Sequence, residues 1–258
     1  MTVTPAVIIP ARWASTRFPG KPLALLAGQP VIRHVYAAAR AACPEALVCV
    51  ATDDQRIRDA VESFGGRAVM TRSDHVSGTD RILEALGILS QDGDFSCIVN
   101  VQGDEPLISP ARIRTAVETL TAHPQAQWAT LVYPLTSPET IRNPNVVKVV
   151  MAQDGSALYF SRAAIPFDRD ASGTACYYGH IGLYVYRTAA LRQFAAWPPG
   201  ALERAEKLEQ LRALEHGMKI QCACVEYATI GIDTPEDLDQ AEKLLQAHPE
   251  LSSLRTAE

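Results

Sequence analysis

The sequence has no long apolar run. Hydrophobic residues make up 47% of its 258 positions, yet nowhere do they approach the ~20 in succession that a bilayer-spanning helix requires. No basic region followed by an apolar signal core stands at its start, so the expectation is a soluble, cytoplasmic protein with no membrane partner. A surplus of positive charge is missing too: Lys and Arg total 24 against 29 Asp and Glu, a formal net charge of -5. That excludes the broad basic footprint of a nucleic-acid binder and makes any anion site local. Neither common glycine pattern for phosphate is present. Gly20-Lys21 is followed by Pro22 rather than Ser or Thr and lacks the earlier spaced glycine of a Walker A loop, and the first strand leads into no Gly-x-Gly-x-x-Gly. The cysteines, Cys43, Cys49, Cys97, Cys176, Cys222 and Cys224, are scattered. Cys222 and Cys224 stand one residue too close for a zinc knuckle, so for most of the six reduced core thiols are expected rather than a sulfur metal site. With no repeat, low-complexity tract or linker, residues 1–258 read as one domain, or as a main domain with a small insert.

What is present begins at Val7–Lys21. The short β-branched run Val7-Ile8-Ile9 predicts a strand, Pro10 withdraws a ladder donor where it should end, and Gly20 frees the backbone to turn. The loop between carries Arg12, Arg17 and Lys21, cations that beside free backbone N–H groups suit a polyphosphate. A solvated basic surface loop is the alternative.

Farther along, Pro30–Ala41, the run Ile57, Ala60, Val61 and Phe64, and the stretch after Thr79 show helical spacing, with Pro30 in a first turn and Thr79 as a cap. Leu47–Ala51, Arg67–Met70 and Cys97–Val101 read as strands between them. Alternation of this kind predicts a mostly parallel sheet flanked by helices, with a ligand site at the carboxyl ends of its strands. The loops after Ile9, Met70 and Val101 should therefore bring Arg12, Arg17, Lys21, Arg72 and Asp104 together. From Trp128 the pattern becomes β-rich: Trp128–Pro134, Val146–Met151, an Asp154-Gly155 hairpin turn, Ala157–Phe160 and Ile181–Tyr186. Phe167–Tyr178 reads as a flap, Glu203–His216 as one helix, Lys219–Val225 as a strand, and Pro235–Ala247 as the last helix before a polar tail.

Asp104 and Asp233 each follow an apolar stretch at a strand end or turn, which suits Mg²⁺, a cation that takes one or two carboxylates with phosphate oxygens and water. Helix capping is the competing role. At Asp233 it is weakened, because Thr234 supplies the cap, Pro235 the first helical residue and Asp237 the box partner. Spacing leaves open whether Asp104 serves a turn, whether the two aspartates meet, and whether His180 and Arg162 bind a ligand or pack.

Many ordered blocks give a resemblance that covers nearly the whole chain. Val7-Ile8-Ile9-Pro10-Ala11-Arg12-x-Ala14-Ser15-Thr16-Arg17-x-Pro19-Gly20-Lys21-Pro22-Leu23, Met70-Thr71-Arg72-x-Asp74-His75-x-Ser77-Gly78-Thr79, Val99-Asn100-Val101-Gln102-Gly103-Asp104-Glu105-Pro106 and Asn143-Pro144-Asn145-x-Val147-Lys148 are four of them. Ser161-Arg162, His180-Ile181-Gly182-x-Tyr184, Leu208-Glu209-Gln210 and Asp233-Thr234-Pro235-Glu236-Asp237 follow. Together they resemble the 3-deoxy-manno-octulosonate cytidylyltransferases, or CMP-Kdo synthetases. Gly179 stands where many of these carry a basic residue, and Trp13 and Phe18 replace a more usual tyrosine and leucine.

The resemblance implies a Rossmann-like nucleotidyltransferase fold in which about 128–186 form a mixed-sheet insert giving flap and dimer contact. It implies transfer of a cytidylyl group from CTP to Kdo with Mg²⁺, in a cytoplasmic homodimer that serves lipopolysaccharide synthesis. Arg12, Arg17 and Lys21 would then hold the triphosphate, and Asp104 and Asp233 the metal. Pro10, Ala11, Arg12, Lys21, Arg72, Ser73, Ser77 and Gly78 would bind the nucleotide, and Arg81, Gln102, Arg162, His180, Tyr184, Glu209 and Gln210 the sugar. The alternatives are another acidic sugar, such as 8-amino-Kdo or a nonulosonate, or a non-catalytic nucleotide-binding homologue.

Overall fold

The computed structural model of this chain describes residues 5–15, 17–91 and 93–252. Thr16 of the first block and the polar tail beyond Ser252 lie outside these residues. The chain divides into two compact units, residues 1–114 with 229–258, and residues 115–228.

The first unit begins with β1 (Pro5–Ala11), a hairpin of β2 (Leu25–Leu26) and β3 (Gln29–Pro30), and α1 (Val31–Ala42). Then come β4 (Leu47–Thr52), α2 (Gln55–Ser63), β5 (Ala68–Met70), α3 (Gly78–Leu89), β6 (Cys97–Asn100) and α4 (Pro110–Ala122), which carries the chain across the boundary. β6, β1, β4 and β5 lie side by side, all parallel. Val7, Ile8 and Ile9 are fully buried at the centre, each contributing roughly 1.5–3 kcal/mol by leaving water. β1 runs past Pro10: Pro10 and Ala11 keep their register with Ala51 and Thr52 of β4, while pairing with β6 ends at Ile8 and Asn100. The missing N–H is therefore tolerated where only one neighbour remains.

Pro30 precedes α1 as its cap instead of sitting in its first turn. Ser77, not Thr79, caps α3, its hydroxyl accepting the Asp80 N–H at 3.2 Å. Thr79 lies inside the helix and is buried.

The last helix of the unit, labelled α9 (Pro235–Ala247) in chain order, has the box read from the sequence. Thr234 Oγ1 accepts from the Asp237 N–H, and Asp237 Oδ2 accepts from the N–H groups of Thr234 and Asp233, both at 2.9 Å. Its Ala241 and Leu245 pack with Leu26, Val31 and Ile232.

The second unit holds β7 (Trp128–Leu135), α5 (Pro138–Arg142), β8 (Lys148–Met151), β9 (Ala157–Ser161), β10 (Tyr177–Arg187) and α6 (Thr188–Ala195). It continues with α7 (Ala201–Glu206), α8 (Gln210–Glu215) and β11 (Ile220–Cys224). β10 is antiparallel to β7 and β8, β8 to β9, and β11 runs parallel to β7. The mixed sheet expected here is present, and Gly155, at φ +77°, makes the hairpin turn.

The single helix read over Glu203–His216 is two. Lys207 takes a left-handed conformation, φ +56°, and ends α7. Arg212 reaches back across the break to hold Glu203 through Nη2 and Nε, at 2.6 and 2.7 Å. Among the described residues, no helix is long and apolar enough to cross a membrane.

Candidate active site

At the carboxyl ends of β1 and β6, a cavity of about 290 Å³ opens in the first unit. Most of its charge comes from three segments: the loop after β1, the turn after β6 and the residues before α9. Gly103 permits the first two to meet, since a Cβ there would lie 2.7 Å from the Pro10 carbonyl oxygen. The third is tied in by the Ile232 N–H, which donates to the Asp104 backbone carbonyl at 2.7 Å. Asp104 and Asp233 thus share one ammonium: Lys21 Nζ lies 2.5 Å from Asp104 Oδ2 and 3.1 Å from Asp233 Oδ1. Arg17 closes the group, its Nη2 2.9 Å from Asp233 Oδ2.

The Lys21 side chain is only 13% exposed. Burial alone would lower its pKa, but Asp104 foremost, with Asp233, outweighs it and holds the ammonium above its ordinary range. Next to Asp104, Glu105 buries a carboxyl oxygen that has no partner. Burial, and then the Asp104 charge, push its carboxyl up to about 7, against Thr229 and Arg112. Nothing in the sequence marks Glu105, which looks there like part of a turn.

Of the expected nucleotide residues, Pro10, Ala11, Arg12, Lys21, Ser77 and Gly78 line the cavity, as do Arg17, Asp104 and Asp233. Arg72 and Ser73 are not on its wall. Arg72 turns its guanidinium onto Asp74, with Nε 2.9 Å from Oδ1, and that local pair keeps it from the convergence expected of it. His75 and Val76 line the cavity instead. His75 is held by Glu84 of α3, and Val76 is 91% exposed. A lone apolar residue in that polar stretch was the available signal.

Arg81 and Gln102 also line the cavity. The Arg81 side chain is 4% exposed and largely committed: Nη2 to Asp53 Oδ2 at 2.8 Å, and Nη1 to Thr71 Oγ1 at 2.5 Å and to the Arg72 carbonyl. It joins the ends of β4 and β5 to α3.

The remaining sugar candidates belong to the second unit. Arg162 donates from Nε to the Glu206 carbonyl at 2.8 Å and from Nη1 to the Pro144 carbonyl at 3.0 Å. His180 Nε2 lies 3.0 Å from Thr130 Oγ1, with its ring against Phe160 and Tyr184. Burial lowers the His180 pKa to about 3 and raises the Tyr184 phenol well above its usual value. Glu209 precedes α8, and Gln210, its first residue, is buried.

Among the described residues, no group of three or more His, Cys, Asp or Glu could hold a metal. A Mg²⁺ ion asks for less: one or two carboxylates, the rest from phosphate and water. Asp104 and Asp233 fit that demand, and the ammonium lodged between them marks where a cation is favoured.

Residues 6–220 match the cytidylyltransferase family. A 3-deoxy-manno-octulosonate cytidylyltransferase of Syntrophobacter fumaroxidans is 52% identical over 240 residues, 92% of this chain and 95% of that protein. Another, of Pelobacter propionicus, is 50% identical over 251 residues, 93% of this chain and 96% of its own. The solved structure of a CMP:2-keto-3-deoxy-manno-octonic acid synthetase complexed with CTP matches with a TM-score of 0.89 at 40% identity, covering 95% of this chain and 99% of that one.

Proposed function

This chain belongs to the cytidylyltransferase family, and on that premise we propose that it transfers the cytidylyl group of CTP to 3-deoxy-D-manno-octulosonate (Kdo), releasing pyrophosphate. The observation that carries the reading is the joining of Lys21, Arg17, Asp104 and Asp233 in one cavity beside Arg12.

In the reaction, the anomeric oxygen of the sugar forms a bond to the α-phosphorus while the bond to the β-phosphate breaks, and the hydroxyl proton is released. Charge grows on the leaving pyrophosphate, so positioning and fixed positive charge supply most of the catalysis. Arg12, Arg17 and Lys21 hold the triphosphate and neutralise that charge. Pro10, Ala11, Ser77 and Gly78 line the same cavity and seat the nucleoside. Asp104 and Asp233 would hold Mg²⁺, which when bound screens the phosphates and polarises the attacking hydroxyl. Gln102 and Arg81 face the cavity from the first unit, and this reading assigns sugar contacts to Arg162, His180, Tyr184, Glu209 and Gln210 as well. A homodimer in the cytoplasm belongs to it as well, which analytical ultracentrifugation and cell fractionation test.

The deciding experiment is pyrophosphate release from CTP and Mg²⁺ with Kdo, 8-amino-Kdo and a nonulosonate in parallel. Turnover highest with Kdo is the expected result; preference for another acid sugar reassigns the substrate, and none with any sugar defeats the transferase reading.

A further inference from the structure

Trp13 is not on the cavity wall, yet its backbone and its ring both hold the phosphate loop. Its carbonyl accepts the N–H groups of Ser15 at 2.9 Å and Gly20 at 3.0 Å, closing the loop on itself. Its ring bears on Gly20, where a Cβ would come within 2.8 Å of it and where φ is +73°. No other residue fits that turn against that ring. The ring also carries the Arg56 guanidinium, whose carbon lies 3.3 Å from its centroid. Arg56 is fixed in turn by Asp54, Nε to Oδ1 at 2.9 Å and Nη2 to Oδ2 at 2.7 Å, and Asp54 caps α2 by accepting the Arg56 N–H. A continuous chain of contacts therefore runs from the start of α2 through Arg56 and Trp13 to Gly20, the residue before Lys21.

The geometry points to Trp13 as a positioning residue: a clamp that fastens the phosphate loop to α2 and so presets the Lys21 ammonium before nucleotide arrives. Cation–π stacking of this kind is strong enough to order a loop and too local to hold a fold together. The role in catalysis rests on the proposed CTP chemistry; the clamp itself does not.

The test is limited trypsin digestion of the full chain without nucleotide, following cleavage of the Arg17–Phe18 bond by mass. Trp13→Ala is expected to be cut at least ~10-fold faster at that bond, Trp13→Phe within about 3-fold of the parent and Arg56→Ala in between, with unchanged thermal midpoints. In steady-state assays, Trp13→Ala should raise KM for CTP about 10-fold, leave KM for the sugar unchanged and be rescued by Trp13→Phe. Cleavage of Trp13→Ala at the parental rate overturns the clamp, and so does acceleration at every tryptic site together with a fall in midpoint. If the parent chain does not turn over CTP, the proposed function falls while the digestion still decides the clamp.

Discussion

The backbone N–H of Ile232 donates to the backbone carbonyl of Asp104 at 2.7 Å, and this bond sets Asp233 beside a carboxylate from the opposite half of the sequence. The packing of α9 against Leu26 and Val31 brings Ile232 within reach. The capping box then occupies Asp237 and leaves both Asp233 oxygens for Lys21 and Arg17.

Asp104→Asn and Asp233→Asn should each lower kcat for CTP-dependent pyrophosphate release by about 10²–10³. Neither carboxylate is fully buried, so thermal midpoints should move by no more than roughly 4 °C. A variant that keeps parental turnover removes its aspartate from the chemistry.

Lys21→Ala exposes Asp104 and Asp233 to each other with no ammonium between them. In chelator, it should cost on the order of 1 kcal/mol and lower the midpoint by roughly 2–4 °C, a loss that added Mg²⁺ reverses. Turnover should fall about 10²-fold or more even with Mg²⁺ present. Calorimetry with and without the metal checks the first part, and initial rates the second.

Gly103→Ala drives a methyl group to 2.7 Å from the Pro10 carbonyl oxygen, a backbone atom that cannot swing aside. The strand ends must separate, at about 1–3 kcal/mol, and Asp104 moves with them. Denaturant unfolding should show the cost, and kcat should fall although no charged group has changed.

Much of this site could be read in the sequence, for physical reasons that differ by element. The Asp233–Asp237 box is legible because capping is local chemistry, and the Asp154-Gly155 turn because it needs a left-handed glycine. The proximity of Asp104 and Asp233 depends on the docking of α9, which spacing does not encode. Lys21 reads as an exposed loop cation, and its burial between two carboxylates is again tertiary. The helix read over Glu203–His216 breaks at Lys207 because tertiary pairing of Arg212 with Glu203 favours a left-handed lysine over helix propensity. Arg72 was drawn away by its neighbour Asp74, and the Arg81 partner, Asp53, looks like an ordinary strand-end acid.

Arg81→Met leaves Asp53, itself mostly buried, without its counter-ion. Breaking such a pair from one side costs about 3–5 kcal/mol. Chemical denaturation should show that loss, and Asp53→Asn combined with Arg81→Met should recover part of it.

Acid should weaken the second unit through His180. Its ring takes a proton near 6.5 when unfolded but only near about 3 in the folded chain. Between those values the unfolded state binds more protons, so the stabilisation is complete above pH 6.5 and is lost as pH falls, at up to roughly 1.4 kcal/mol per unit. His180→Gln should flatten stability against pH in that window. An unchanged slope would place the acid sensitivity elsewhere.

Asp233 enters the centre only with the segment that fastens onto the Asp104 carbonyl. A nascent polypeptide still short of that residue carries one carboxylate where the proposed centre uses two. Competence therefore waits until Asp233 has been made, and a product truncated upstream of Ile232 never acquires it.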